Sequence, residues 1–115
     1  MPPSYNSLNL QPSDLEAYAA EAAELDMDAV QETATALVDL VLTDDSVYMD
    51  ALPIAVQSEM LTPLAMLSDA LDDRVDGPII IAAVRAVKGS ARYVLAQCPR
   101  EMRALLEALP SSGRP

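Results

Sequence analysis

The chain has 115 residues, enough for one domain, and 51% of them are hydrophobic, enough to build a core. It contains no His, which removes the commonest general base, the Ser-His and Cys-His nucleophile pairs and every His-ligated metal site. A net charge of −11 disfavours direct binding to nucleic acid, because phosphates would be repelled.

Phe and Trp are absent and four Tyr are the only aromatics, so Ala, Leu, Val, Ile and Met must fill the interior. That filling suits slim helices packed closely. Three Gly and few β-branched runs argue against a β protein. The expected fold class is all-α, a compact bundle of four to five helices with short disordered termini. The single cysteine, Cys98, excludes an internal disulfide and leaves the compartment unconstrained by one. No basic region followed by a long apolar one opens the chain, and no apolar run suits a membrane span. A soluble cytoplasmic protein is the expectation.

In chain order, residues 1–12 read as a flexible polar arm, residues 13–109 as a single helical domain and residues 110–115 as a flexible tail. A first helix starts on a capping box of Ser13 and Glu16, with Leu15, Tyr18, Ala22 and Leu25 as its apolar edge. The next stripe, Val30, Ala34, Leu37 and Val41, would sit about 110° out of phase with it on one continuous helix. A break near Asp26–Asp28 is therefore expected, with Asp28 and Gln31 as the fresh cap and an end near Leu42. Ser46–Leu52 reads as a short turn. A helix kinked at Pro63 follows from about Pro53 to Asp72, carrying Met60, Leu64, Leu67 and Leu71; the alternative is a full break at Thr62-Pro63.

After a connection over 72–77, Gly77-Pro78 opens the helix around which the chain is organised, expected to reach Gln97. Ile80, Val84, Val87, Ala91 and Val94 form its apolar stripe, and Arg85, Lys88 and Arg92 a neighbouring basic one. Gly89, with Ala83, Ala86 and Ser90, is expected at a close helix crossing. Pro99 starts a last short helix with Met102, Leu105, Leu106 and Leu109 apolar. No internal repeat is visible.

The charge is unevenly laid out. Fifteen acids and no base precede Arg74, whereas seven bases face three acids from Arg74 onward. The simplest arrangement docks the basic stripe on the acidic helices, within one chain or across a dimer; an exposed anionic face for a basic partner is the sharper alternative.

Constellations for chemistry are weak. A lone Cys98 before Pro99 suits a buried small hydrophobe better than a nucleophile, and no glycine-rich phosphate loop exists. Asp72-Asp73-Arg74-Val75-Asp76 has the spacing with which some prenyl-transferring enzymes hold magnesium on a diphosphate. An Asp-rich chain produces that spacing by chance, and 115 residues cannot enclose the cavity those enzymes need. Glu21 and Glu24 could pair with Asp69 and Asp72 as a magnesium-holding carboxylate set, but no Lys or Arg in that half could take a phosphate. Asp44, Asp45 and Asp50 lack the central Gly and terminal Glu of a calcium loop. Arg85, Lys88 and Arg92, with Arg100 and Arg103 beyond, are nearly free of interleaved aromatics, which makes pairing with acidic helices a better reading than nucleic-acid contact.

The reading is a non-enzymatic acidic helical interaction or adaptor module, homodimeric, with no cofactor, no metal and no membrane. Its expected interaction residues are Arg85, Lys88, Arg92, Asp69, Asp72, Asp73, Asp76, Met60 and Met66. The alternative is an acidic nucleic-acid mimic that inhibits a basic nucleic-acid-binding protein; a secretion chaperone or antitoxin would look similar. A magnesium-dependent carboxylate hydrolase is the third class.

Overall fold

A computed structural model describes residues 4–43, 47–92 and 95–110. Among these there are helices and turns and no strand, so the all-α class holds. A 3-10 turn at Ser4–Leu8 precedes α1 (Pro12–Glu24), α2 (Met27–Val41), α3 (Val47–Asp50) and α4 (Ile54–Asp72). Then come α5 (Gly77–Ala91), a 3-10 turn at Leu95–Gln97, and α6 (Arg100–Ala108). The molecule measures 37 × 37 × 22 Å. With a helix about 10–12 Å across, that thickness is two helical layers.

α5 is the central element, packed along α4 on one side and α1 on the other, while α2 carries α6 and leans on α4. Ile80, Ile81, Val84 and Val87 of α5 are all essentially inaccessible to water. Burying each such side chain contributes roughly 1.5–3 kcal/mol. α2 buries Val30, Ala34, Leu37 and Val41, the stripe read from the sequence. The phase break falls where the two stripes required it. Its cap is Asp26, whose Oδ1 accepts the Ala29 N–H at 3.3 Å, and not Asp28. α4 passes through Pro63 as one helix, with the proline ring buried against the core. The lost N–H leaves the Glu59 carbonyl without its ladder donor, which the surrounding packing tolerates.

Four other sequence expectations are corrected. The first helix opens at Pro12, with Gln11 as its cap, and not at Ser13; the Gln11 N–H donates to Asp14 Oδ2 at 3.1 Å. Residues 4–8, expected in a free arm, form a turn that lies against α4. α5 stops at Ala91 and not at Gln97, because Gly89 weakens its last turn and a separate 3-10 turn takes over at Leu95. Val94 lies outside the described residues. Gly89 is not at a crossing: a Cβ built there meets nothing within 4 Å. The close approach is at Gly77, where a Cβ would lie 3.2 Å from the Cβ of Ala22 on α1.

The α4–α5 connection is a Schellman-type end. Arg74 stands in the left-handed region at φ 53°, and the Val75 N–H donates back to the Ala70 carbonyl at 3.2 Å. No helix among the described residues is long and apolar enough to cross a membrane.

Candidate functional site

The C-terminal half of α5, the Leu95 turn and α6 enclose a half-open groove of about 470 Å³. Ala91 and Leu106 form its buried floor, and Leu95 closes one side. Arg85, Lys88 and Arg92 all line it, so the helical spacing of the basic stripe does gather three cations in one place. Gly89 lies between them and, lacking a side chain, keeps the groove open. Glu107 supplies one opposing carboxylate from α6. The result is an apolar slot rimmed mainly by positive charge, on a chain whose net charge is −11.

The three cations are not equivalent. The Arg85 guanidinium pairs with Glu21 of α1 and lies 5.2 Å from the centre of the Tyr18 ring. Both partners of the ion pair are about three-quarters buried at their side chains (24% and 27% exposed), and Glu21 Oε2 is buried with no hydrogen-bond donor among the described residues. Lys88 Nζ instead donates to the Leu109 carbonyl at 2.7 Å, tying α5 to the end of α6. Burial there pushes the Lys88 ammonium below its ordinary value, and the Glu107 carboxylate partly offsets the shift. Arg92 caps α5 and is exposed on the rim. Of the stripe expected to dock on the acidic half, Arg85 does pair with an acid of α1, whereas Lys88 is held by the end of α6.

The other sequence candidates lie elsewhere. Asp69 accepts the Ser4 hydroxyl and Asp73 accepts the Tyr5 hydroxyl, at 2.8 Å for the latter, so both fasten the N-terminal turn to α4. That contact to Asp73 raises the Tyr5 hydroxyl pKa. Asp72 is exposed, and Asp76 starts α5 through its carbonyl, which accepts the Ile79 and Ile80 N–H groups. Met60 and Met66, expected on a partner surface, are buried, at 0% and 9% exposure. Met60 belongs to the main core cluster, whereas Met66, about 120° round α4 from it, is buried outside that cluster. Glu21, Glu24, Asp69 and Asp72 do not converge, and no group of three or more His, Cys, Asp or Glu gathers among the described residues. Cys98 is buried, and burial pushes its thiol up.

Sequence reasoning missed Leu95, Leu106 and Glu107 as groove residues. The available signal was the i, i+4 pairing of Arg103 with Glu107, which turns Glu107 to one side of α6. Elsewhere, Ile54 and Leu61 are exposed on α4 and Val47 on α3, with no acid next to any of them in sequence. Leu15 and Leu25 of the α1 region are also exposed, and each is flanked by an acid on both sides.

No protein-family model, curated protein or solved structure matches this chain.

Proposed function

We propose that the protein acts by binding, as a non-enzymatic interaction module whose α5–α6 groove takes an acidic, apolar-tipped helix, and that it self-associates through this groove. One observation carries the reading: the three cations of the α5 stripe converge on an apolar slot left open at Gly89. Apolar burial in the slot would supply affinity, and the cationic rim would select an acidic partner and speed encounter. The reading takes with it a cytoplasmic setting, as the sequence suggests. Sedimentation equilibrium at tens of micromolar should give a reversible dimer at low ionic strength that weakens with added salt. A monomer at every salt concentration would refute self-association.

A second reading, the acidic mimic, is favoured by the exposed carboxylates of Asp28, Glu32 and Asp39 on the outer side of α2. It predicts displacement of a DNA duplex from a basic DNA-binding protein by the intact chain, an effect that Asp28→Asn with Glu32→Gln should remove.

A further inference from the structure

We infer that the occupant of the groove is the Leu15 end of α1 from a second copy, two copies exchanging this contact about a two-fold axis; this rests on the groove-binding function proposed above. Three observations point to it. α1 is the only long helix described with no buried residue, and Leu15 near its start is exposed. Among the exposed large apolar residues described, only Leu15 and Leu25 carry an acid on each side, Asp14 and Glu16 for the first. That pattern is the chemical complement of a groove with Leu106 and Ala91 at its floor and Arg85, Lys88 and Arg92 round it.

The third observation is placement. α1 runs antiparallel to α5, since Ala22 faces Gly77 at the start of α5 while Tyr18 faces Arg85, two turns further on. Leu15 therefore lies at the end of α1 towards the groove, and Leu25 at the far end. Arg85 belongs to both features, pairing with Glu21 on α1 and lining the groove. Both halves of the proposed contact thus belong to neighbouring elements, α1 and α5, joined at Arg85. A two-fold interface requires both halves on each copy, because the same surface must complement itself.

The experiment is a charge exchange read by sedimentation equilibrium at low ionic strength. Arg92→Glu reverses the exposed rim of the groove, and Glu16→Lys reverses the flank of Leu15. Both positions are exposed, and a thermal melt of each variant checks folding. Each variant alone should dimerise at least tenfold more weakly than the natural chain. An equimolar mixture should recover dimers, because one of the two contacts then pairs the reversed rim with the reversed flank and the other keeps its natural charges. Leu15→Asp should also lose the dimer, and mixing with Arg92→Glu should not restore it fully. If Glu16→Lys and Leu15→Asp dimerise like the natural chain while Arg92→Glu does not, α1 is not the occupant, although the groove reading stands. If Arg92→Glu also dimerises normally, both fall. Loss in each variant without recovery on mixing equally overturns the exchange.

Discussion

Gly89 and Gly77 make opposite demands on an added methyl group. At Gly89 an alanine Cβ would enter open space, so the change recovers the helix-propensity cost of glycine, about 1 kcal/mol in a helix interior. The site is two residues from the end of α5, so a gain of roughly 0.5–1 kcal/mol is expected. At about 2.1 cal/mol/K per residue, a chain of this length unfolds with roughly 0.24 kcal/mol/K, so Tm should rise by about 2–4 °C. At Gly77 the same methyl would stand 3.2 Å from Ala22 Cβ and 3.7 Å from Met27 Cε. α1 would have to retreat by a few tenths of an ångström against the Arg85–Glu21 pair, and a first-turn position returns little propensity. Gly77→Ala should therefore melt below Gly89→Ala by at least about 1 kcal/mol, or roughly 4 °C. Differential scanning calorimetry at one pH and salt concentration compares the two. A lowered Tm for Gly89→Ala would refute the reasoning, since it would place a backbone or side chain where the groove is open.

The basic residues should separate in the same assay. Arg85→Glu would set two carboxyls together in a part-buried seam and should cost about 1–3 kcal/mol, whereas Arg92→Glu on the exposed rim should stay within about 1 kcal/mol. Equal losses would mean that the residues act as one stripe. Arg74→Gly should stabilise by up to about 1 kcal/mol, because glycine occupies the left-handed region without a Cβ penalty; a loss would show that the Arg74 side chain holds the α4–α5 turn. Tyr5 and Tyr48 donate to Asp73 and Glu101, contacts that raise both hydroxyl pKa values. Above about pH 10 the unfolded chain then loses these protons before the folded one, so stability present below that pH falls as pH rises through the folded values. Tyr5→Phe with Tyr48→Phe should flatten the fall in Tm over that range, and an unchanged slope would contradict the assignment. Lys88 acts in the opposite sense: its lowered value costs stability at lower pH, and that cost eases as pH rises towards 10.5.

The helices were legible because burial on one side leaves a period in the sequence. The α2 stripe of Val30, Ala34, Leu37 and Val41 is buried as a unit, and its phase against Tyr18 and Ala22 located the break to within Asp26–Asp28, though not its cap, which is Asp26 and not Asp28. Gly77-Pro78 marked the start of α5 because proline needs no donor at that position. What stayed hidden depends on which element comes to lie beside a given residue. Gly89 and Gly77 look alike in sequence, yet only Gly77 meets α1. Met60 and Met66 fit a soft surface or an interior equally well, and both are buried, Met60 within the core cluster and Met66 outside it. The stripe of Arg85, Lys88 and Arg92 was visible as a helical face, but the partners of Arg85 and Lys88 come from α1 and the end of α6, far away in the chain. The groove needed both α5 and α6 in place, and of the lining that α6 and the Leu95 turn supply only Glu107, through its i, i+4 spacing from Arg103, left a trace in the sequence.

The central claim is that the slot beside Gly89 is where a partner helix docks. Gly89→Leu tests it most directly, since the new side chain would project into the open space that defines the groove, with no neighbour to displace at its Cβ. Sedimentation equilibrium of natural and variant chains, side by side at low ionic strength and tens of micromolar, should show a dimer for the first. The second should be a monomer with an unlowered melting temperature. Equal dimerisation of the two, with the leucine variant folded and stable, would contradict the account.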